Sequence, residues 1–451
     1  MIRHVAIVGA GFSGTLQAIN LLRHDGPRAT LVERAPVPGL GIAYGAAHPS
    51  HVLNVRAGNM SAFPDEPDHF VRWLAGKGIA DAAGTFVPRV TYGAYLRNLL
   101  DAARQSAGSR LTVIGGAVSD VVADGSGACL CLDDGRRIAA DAAVLAVGNL
   151  PPHDPPGLDP NALSVALYRN DPWAADVAEG LGEDDTVLII GTGLTMIDVT
   201  LMLEARGFRG RIVALSRRGL VPREHAAPAP NPDRLRERPA TVASSLVASV
   251  RAKGHAVGWR QAVDELRPFT QGMWANASDA ERARFLRHLR PWWDVHRHRL
   301  APAVHARLRA MQDEGRLIVA AGKTLDFVED AGGVAVRWRP RGADMSETLV
   351  VQRIVNCTGP QGDLSRTTEP LLRRLADRGT IRADTAHLGI DVDEAARTIA
   401  RDGRANDWLY ALGPMTRGAF WEIVAVPDIR TQTWSVARKL SNAHWVGGEG
   451  L

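Results

Sequence analysis

The chain has 451 residues, of which 45% are hydrophobic and 23% are charged, so it can bury the cores of two or three soluble globular domains. Its net charge is only +4, because 53 basic residues are offset by 49 acidic ones. The basic residues are interspersed with carboxylates and form no run interleaved with aromatic residues, so we expect no nucleic-acid partner.

Cysteine content and hydropathy indicate an intracellular protein. The three cysteines, Cys129, Cys131 and Cys357, suggest no disulfide framework and contain no Cys-x-x-Cys pair. No apolar run approaches the roughly 18 residues of a membrane span, so no membrane partner is expected. Glycines interrupt the apolar N-terminus, which therefore does not resemble a secretory signal. A cytoplasmic location is predicted.

The first 34 residues predict a strand, a glycine turn, a helix and a second strand. The turn GAGFSG, residues 9–14, lies between the strand HVAIV and the helix TLQAINLLRHDG, and the next strand ends at Glu33. We expect Gly9 to make the tight turn, Gly11 to admit a pyrophosphate, and Gly14 to let the helix pack on the sheet. A glutamate in this place binds ribose hydroxyls and repels a 2′-phosphate, which favours FAD or NAD over NADP. The predicted cofactor-binding residues are Gly9, Ala10, Gly11, Phe12, Ser13, Gly14, Glu33 and Arg34.

A long irregular stretch follows the second strand. Residues 53–67, LNVRAGNMSAFPDEP, are polar and aperiodic, and loops of this kind in compact domains usually carry function. A surface Ω-loop is the alternative interpretation. Two helices are predicted after this stretch, around PDHFVRWLAGKG and TYGAYLRNLLDAARQS.

Two later segments repeat one plan. Residues 111–152 alternate like a β-meander and end in an apolar strand that closes on Gly148. Residues 317–360 do the same and close on Gly359. Each segment lies downstream of a Gly-x-Gly turn, so we predict two nucleotide-binding units, with Gly148 and Gly359 among the cofactor-binding residues.

The second Gly-x-Gly turn is looser than the first. LIIGTGLTMID, residues 188–198, predicts a strand, a turn and a helix, but Met196 stands where the third glycine belongs. We expect this side chain to move the helix slightly off the sheet. The next strand ends in a hydroxyl and two guanidinium groups, which suit a 2′-phosphate and favour NADPH over NADH, the alternative being a solvated arginine pair. The predicted residues are Gly191, Thr192, Gly193, Leu194, Thr195, Ser216, Arg217 and Arg218.

An insertion at about residues 222–315 separates the second turn from its meander. It begins with the Pro-rich linker PREHAAPAPNPDRLRERPA, and the rest has a helical pattern. One of its helices is predicted to start at a capping box formed by Ser278 and Glu281.

The tract WWDVHRHR, residues 292–299, lies in this insertion. On a helix Asp294 and His298 are one turn apart, but no third ligand accompanies them, so no metal site is predicted. The tract is either an ordinary helix face or a substrate surface on which Arg297 or Arg299 binds an anion.

The C-terminal region is predicted to contribute to the first cofactor site. Pro427 fits the first position of a terminal helix, whose positive end would suit a flavin oxygen. Arg417 and Arg430 flank this segment and either bind an anionic substrate and flavin oxygens or are solvated. Gly413 and Arg430 are predicted to bind the cofactor, and Arg417 to bind the substrate.

Together these elements predict an α/β fold with two Rossmann-like dinucleotide-binding domains, for FAD and NADP, β-meanders and a helical insertion. The predicted FAD-binding domain comprises residues 1–165 and a C-terminal part at 361–451. The predicted NADP-binding domain covers residues 180–360 and contains the insertion. The strict turn would retain FAD, and the looser turn would bind an exchangeable NADPH.

The order of these motifs resembles that of the class B flavoprotein monooxygenases, which include flavin-containing and N-hydroxylating enzymes. Over nearly its full length the chain is similar to a bacterial family of FAD/NAD(P)-binding proteins, some of which N-hydroxylate amino acids, aspartate among them. The segments that carry this similarity are LNVRAGNMS, PDEPDHFVRWL, PRVTYGAYL, GTGLTMID, WWDVHRHR and GPMTRGAFWE.

The resemblance implies a site and a reaction. By similarity, Asn54 would lie beside the isoalloxazine and Met60 in the pocket wall. NADPH would reduce FAD, and a C4a-(hydro)peroxyflavin formed with O2 would oxygenate a nitrogen or sulfur of a small molecule. The Baeyer–Villiger fingerprint is absent, GLGIAYG replaces the usual Gly-Gly-x-Trp, and the loop lacks the lysine of ornithine and lysine N-hydroxylases.

Two other functions remain open at this point. One is a flavin-dependent NAD(P)H oxidoreductase that passes electrons on without oxygenation. The other is a redox-responsive protein in which FAD and NADP regulate a partner that docks on the helical insertion. The sequence carries no signal that selects the substrate or the oligomeric state.

Overall fold

The computed structural model describes residues 2–23, 26–174, 176–227 and 238–441. The strands in these ranges are β1 His4–Val8, β2 Arg28–Glu33, β3 Leu111–Gly115, β4 Val118–Asp124, β5 Gly127–Leu132, β6 Arg137–Ala140, β7 Ala142–Leu145, β8 Tyr168–Arg169, β9 Thr186–Ile190, β10 Arg211–Ser216, β11 Leu317–Asp330, β12 Gly333–Pro340, β13 Glu347–Val351, β14 Arg353–Asn356, β15 Arg397–Ile399 and β16 Ala405–Ala411.

The α-helices in the same ranges are α1 Phe12–Arg23, α2 Gly41–Gly45, α3 His69–Ala75, α4 Arg89–Ala107, α5 Leu194–Ala205, α6 Ala243–Val257, α7 Trp259–Asp264, α8 Thr270–Asn276, α9 Asp279–Arg284, α10 Arg290–Arg297, α11 Pro302–Asp313, α12 Pro370–Arg378 and α13 Val426–Leu440. A π-helical turn, Phe285–Leu289, connects α9 to α10. None of the described helices is long and apolar enough to cross a lipid bilayer.

The first of two compact units is built from the described residues of 1–47, 56–150 and 362–451. Its sheet has the order β15-β16-β7-β1-β2-β3, in which every neighbouring pair is parallel except β15 and β16. All five residues of the central strand β1 are buried, because both faces of the strand are covered. Its residues Val5 and Ile7 pack in one core, and Val8 packs in the core on the opposite face.

A separate three-stranded antiparallel sheet, β4-β5-β6, belongs to the same unit. It forms the predicted meander between β3 and β7. Gly116, with φ +153°, separates β3 from β4, so the chain leaves the main sheet at this point. Val121 and Leu130 of the meander pack in the core that also contains Val8.

The second unit is built from the described residues of 48–55 and 151–361. Its sheet has the order β13-β12-β11-β10-β9-β14-β8. The pairs among β8, β14, β9, β10 and the first part of β11 are parallel. From Gly322 on, β11 pairs antiparallel with β12, with a bulge at Thr324/Asp326, and β12 pairs antiparallel with β13. One long strand, β11, therefore belongs to both the nucleotide-binding sheet and the meander.

The insertion forms the helices α6 to α11. Its first and last segments pair: His225 N donates to Leu300 O at 2.9 Å, and Leu300 N donates to Arg223 O at 2.8 Å. The predicted capping box is confirmed at its first half, because Ser278 Oγ accepts from Glu281 N at 3.3 Å. Part of the predicted Pro-rich linker, residues 228–237, lies outside the described residues.

The predicted α/β architecture with two dinucleotide-binding folds, two meanders and a helical insertion is confirmed. The predicted terminal helix is also confirmed, since α13 begins at Val426 and Pro427 occupies its first turn. The two compact units differ from the predicted domain ranges. The change from the first unit to the second lies at Leu150/Pro151, whereas the predicted first domain extended to residue 165 and the predicted second domain began at residue 180. Residues 48–55 also belong to the second unit.

Candidate functional site

The first glycine turn is enclosed by backbone on two sides. Gly9 has φ +97°, and a Cβ on it would lie 2.5 Å from Ala146 O. A Cβ on Gly14 would overlap Gly9 O, so α1 passes directly against the turn. At Gly11, by contrast, an added Cβ would only reach Gly41 Cα at 3.5 Å, an ordinary contact. The fold thus requires Gly9 and Gly14, whereas Gly11 leaves the open side on which a pyrophosphate would approach.

Glu33 ends β2 beside this turn. Its carboxylate accepts from Ala10 N at 2.6 Å and from Ala35 N at 2.8 Å. A carboxylate has about four lone-pair sites, so two remain that can accept from ribose hydroxyls. Nη1 of the adjacent Arg34 donates to both carboxylate oxygens of Glu369, at 3.0 and 3.1 Å, so the guanidinium already has a carboxylate partner.

Two further glycines bring the segment GLGIAYG onto the same turn. Gly39, with φ +95°, donates its N–H to Ala10 O at 2.8 Å. Gly41, with φ +59°, approaches so closely that a Cβ on it would lie 3.0 Å from Gly11 Cα. Sequence reasoning noted this segment only as a departure from the usual Gly-Gly-x-Trp, although its own Gly-x-Gly spacing is a signal from which the contact could have been predicted.

The helix α1 begins at this turn, and Gly413, from the C-terminal part of the chain, packs against its first residues. The helix makes its first main-chain bond from Thr15 N to Gly11 O at 3.0 Å, so earlier N–H groups lack an intrahelical acceptor and suit an anion. A Cβ on Gly413, with φ +74°, would lie 2.5 Å from Ser13 Oγ. Gly413 N donates to Gln432 Oε1 of α13 at 2.8 Å, which holds the two chain segments together.

The loop around Met60 belongs to the first unit and is held by hydrogen bonds to its backbone. Met60 is 3% exposed, and its N–H donates to Ala57 O at 3.0 Å. Arg430 Nη1 of α13 donates to Ser61 O at 2.8 Å. Burial holds the pKa of Arg430 below its ordinary value, and the charge of Asp428 partly offsets this effect together with nearby tyrosines. Arg430 therefore anchors this loop.

The second glycine turn repeats the geometry of the first. Gly191 has φ +115° and donates its N–H to Leu215 O at 2.8 Å, and a Cβ on it would overlap Cys357 O. Gly193 precedes α5 as its N-cap, and no atom lies within 4 Å of an added Cβ. Gly191 is therefore required by the close approach of the backbone, as Gly9 is, and Gly193 leaves an open side, as Gly11 does.

Gly148 and Gly359 occupy matching places after the strands that neighbour the two turns. Both have positive φ, +70° and +94°, and no atom lies within 4 Å of a Cβ added to either. Each therefore leaves space beside its own glycine turn that a side chain would narrow.

Met196 replaces the third glycine by a buried side chain. It is 0% exposed and packs in the core of the second unit with Ile197, Val199 and Val355. The neighbouring Leu194 and Thr195 are half-buried in the first turn of α5. The expected displacement of the helix by Met196 stays a prediction.

Ser216, at the end of β10, has a hydroxyl committed to the turn. Thr192 Oγ1 donates to Leu220 O at 2.5 Å, because a carbonyl oxygen can only accept. The contact between Ser216 Oγ and Thr192 Oγ1, at 2.8 Å, must then use the hydrogen of Ser216. Gly219 N also donates to Ser216 Oγ, at 3.0 Å. Ser216 thus has no hydrogen left for a phosphate.

Arg217 and Arg218 follow Ser216 at the carboxyl end of the parallel sheet. Arg217 is exposed and Arg218 is half-buried. Within the described part of the chain neither guanidinium forms an ion pair with a carboxylate. Both are therefore available to an anion at this edge.

Asn54 belongs to the second unit, where the side chains of two histidines, His225 and His51, hold its segment. His225 Nε2 donates to Asn54 O at 3.0 Å, and His51 Nε2 donates to Asp198 O of α5 at 3.0 Å. His51 Nδ1 accepts from His48 N at 3.1 Å, so both ring nitrogens of His51 are engaged. Sequence reasoning missed His225 and His51, because neither lies in a motif and both bonds go to backbone atoms.

The three predicted substrate arginines have different surroundings. Arg299 is 4% exposed; it donates to both oxygens of Asp264, at 2.6 and 3.0 Å, and to two backbone carbonyls. Its donors thus serve the fold of the insertion. Arg297 is half-buried on α10. Arg417 lies in the first unit, where its Cζ is 4.5 Å from the ring centroid of Trp421.

No three His, Cys, Asp or Glu side chains within the described ranges come together in a way that could hold a metal ion. Asp294, which the sequence placed one helical turn from His298, forms an ion pair with Arg290 at 3.5 Å. The Asp294 carboxylate of this tract thus has a basic partner on the same helix, α10.

Comparisons with known proteins agree with this geometry. Residues 6–150 match a family model described as FAD-NAD(P)-binding. A search of curated protein sequences finds no match.

Solved structures share the fold over nearly the whole chain. The FAD-bound cadaverine monooxygenase DfoA from Erwinia amylovora is 12% identical, with a TM-score of 0.68 over 98% of this chain and 95% of that chain. The ornithine N-hydroxylase from Kutzneria sp. 744, with reduced FAD, NADP+ and L-ornithine, is 15% identical, with a TM-score of 0.62 over 98% and 99%. The T. acidophilum thioredoxin reductase is 13% identical, with a TM-score of 0.54 over 98% of each chain. The protein therefore has the fold of these flavoproteins and carries an FAD-NAD(P)-binding region at residues 6–150.

Proposed function

We propose that the protein is an FAD-dependent, NADPH-using monooxygenase that oxygenates a nitrogen, or alternatively a sulfur, of a small molecule. N-hydroxylation of an amino acid or amine is the favoured reaction. The observation that carries this proposal is the contrast between two glycine turns, one beside a carboxylate, Glu33, and the other followed by two arginines, Arg217 and Arg218. O2, a small-molecule substrate and a cytoplasmic location are part of the proposal.

The first turn would hold FAD. The glycine cradle at residues 9–14 and the N-terminal end of α1 suit its pyrophosphate, and the free lone pairs of Glu33 suit its ribose. The open space beside Gly148 would let the cofactor lie close to the backbone, and Gly413 would contribute through its close contact with Ser13 of the turn. When bound and reduced, FAD supplies the reaction with O2 that monooxygenation requires. Arg34 is a weaker candidate ligand, because its guanidinium is paired with Glu369.

The second turn would hold NADPH. Gly191, Thr192 and Gly193 would face its pyrophosphate at the N-terminal end of α5. Arg217 and Arg218 would bind its 2′-phosphate through charge-assisted hydrogen bonds. A carboxylate in their place would repel that group, which is why the two turns are assigned to different dinucleotides.

Oxygenation is favoured over simple electron transfer by two observations. The chain has higher TM-scores to the cadaverine monooxygenase and the ornithine N-hydroxylase than to the thioredoxin reductase. It also lacks the Cys-x-x-Cys pair through which a dithiol enzyme would pass electrons, which argues against the dithiol branch of electron-transferring flavoproteins and not against other reductases. The roles of Asn54 and Met60 rest on the resemblance to class B monooxygenases, and Arg297 and Arg417 are the remaining candidates for substrate binding.

The experiment measures NADPH oxidation, O2 uptake and product formation by the FAD-loaded protein with a panel of amino acids, amines and thioethers. We expect one substrate to yield a product carrying one oxygen atom from 18O2 for each NADPH consumed. Oxidation of NADPH with stoichiometric hydrogen peroxide and every substrate unchanged would instead indicate a reductase or oxidase. Failure of NADPH to reduce the flavin would leave only a binding role.

A further inference from the structure

The strand β12 ends next to the arginines that follow β10. In the parallel sheet Ser216 pairs with Ala321 of β11, at the edge where nucleotides bind in this fold. Arg341, the first residue after β12, donates its N–H to Ala321 O at 2.8 Å. The turn after β10 contacts the same residue, since a Cβ on Gly219 would lie 3.2 Å from Ala321 Cβ. Arg341 and the turn that contains Arg217 therefore meet at Ala321.

The guanidinium of Arg341 reaches the backbone of that turn. Its Nη1 donates to Arg217 O at 3.5 Å, a long bond that uses one of its five N–H donors. Arg341 is exposed, and within the described residues it has no ion pair with a carboxylate. Arg337 lies on β12 of the same hairpin. Unlike Arg341, it has a carboxylate partner, because its guanidinium is paired with Asp326.

Three arginines, Arg217, Arg218 and Arg341, thus lie along this edge, and within the described residues none of them has a carboxylate partner. Like charges near one another repel, and a dianionic phosphate bound among them would relieve this repulsion while accepting several of the free N–H donors. Ser216 cannot contribute a hydrogen, since its own is donated to Thr192. A phosphate at this edge would therefore be bound by arginines.

We propose that Arg341 binds the 2′-phosphate of NADPH together with Arg217 and Arg218, and so helps to determine the preference for NADPH over NADH. The inference rests on the proposed function, because it takes NADPH to be the nucleotide of the second unit. It adds a ligand that lies 124 residues from Arg217 in the chain and outside every nucleotide-binding motif.

The test compares two probes that differ only in the 2′-phosphate, adenosine 2′,5′-diphosphate and adenosine 5′-monophosphate. Their dissociation constants are measured by calorimetry on the full-length, FAD-loaded protein. Arg341→Ala is expected to weaken binding of the diphosphate by about tenfold and to leave the monophosphate within about twofold. Arg337→Ala, the control on the same hairpin, is expected to change neither constant. The thermal unfolding midpoint of each variant checks that the hairpin is intact.

Two results would overturn the inference in different ways. If Arg341→Ala affects both probes equally or neither, while Arg217→Ala selectively weakens the diphosphate, Arg341 is not a phosphate ligand and the assignment of NADPH stands. If the unmodified protein binds the two probes equally well, the preference for NADPH itself is wrong, and the inference is overturned with it.

Discussion

Ser216 donates its hydroxyl hydrogen to Thr192 Oγ1 across 2.8 Å, which ties the end of β10 to the second glycine turn. Replacing Ser216 by alanine removes two hydrogen bonds, one to Thr192 Oγ1 and one from Gly219 N. We therefore expect the free energy of unfolding to fall by about 1–3 kcal/mol. The KM values for NADPH and NADH should rise by similar factors in steady-state assays. A rise confined to NADPH would instead make Ser216 a phosphate ligand.

Arg217→Ala is expected to act on one coenzyme only. The variant loses charge-assisted hydrogen bonds to the 2′-phosphate, so the KM for NADPH should rise by about tenfold or more while that for NADH stays within about twofold. Initial rates with both coenzymes at low and high salt provide the measurement, and the difference should shrink as salt screens the charge. Equal effects on NADPH and NADH would remove the 2′-phosphate assignment.

Alanine substitutions at Gly11 and Gly14 of the first turn are expected to have different effects, one on FAD binding and the other on stability. A methyl group on Gly11 meets only Gly41 Cα at 3.5 Å, so Gly11→Ala should fold normally and bind FAD at least about tenfold more weakly. A methyl group on Gly14 overlaps a backbone oxygen, so Gly14→Ala should lower the stability of the protein itself. Flavin content per chain and thermal unfolding of the apoprotein separate the two effects. Normal FAD content in Gly11→Ala would contradict the assignment.

His225 is expected to position the segment that carries Asn54. His225→Ala removes the donor to Asn54 O, so hydrogen exchange of the amides near Asn54 should accelerate by about fivefold, as expected for the loss of roughly 1 kcal/mol of local stability. His225→Gln, whose amide can also donate, should restore part of the protection. His305→Ala is the control, because His305 contacts the adjacent Glu224 at 3.1 Å rather than Asn54. Unchanged exchange in His225→Ala would exclude this positioning role.

Glu204 should make the stability of the second unit sensitive to acid. Burial raises the pKa of Glu204, but hydrogen bonds from Arg307 and Arg316 outweigh burial and leave the pKa below its ordinary value. A carboxyl group with a lowered folded pKa stabilises the protein above its unfolded pKa, and this contribution is lost as the pH falls. Glu204→Gln should therefore cost about 1–3 kcal/mol at neutral pH and progressively less below about pH 4.

Urea unfolding of Glu204→Gln at several pH values provides the measurement. Glu314→Gln is the matched control, because Glu314 also contacts Arg316, at 2.8 Å, but is 54% exposed. Its effect should stay within about 1 kcal/mol, as for other exposed pairs. A cost for Glu204→Gln that does not change with pH would contradict the role of its charge.

Much of the fold could be predicted because it depends on short-range patterns. The positive φ of Gly9 and Gly191, the alternation of the two meanders and the position of Pro427 in the first turn of α13 are properties of a few neighbouring residues. These patterns were sufficient to predict two dinucleotide-binding folds. They also distinguished the turn beside Glu33 from the turn beside Arg217.

What the sequence by itself determined is therefore which segments form the turns, strands and helices, since periodicity and backbone preference act locally. Only the tertiary structure decided which groups from distant parts of the chain come into contact. Arg341 reaches Arg217 through the register of β10, β11 and β12, and His225 reaches Asn54 across 171 residues. Such contacts follow from how whole strands and loops pack, because a single side chain's partner depends on the register and path of segments far away in the chain.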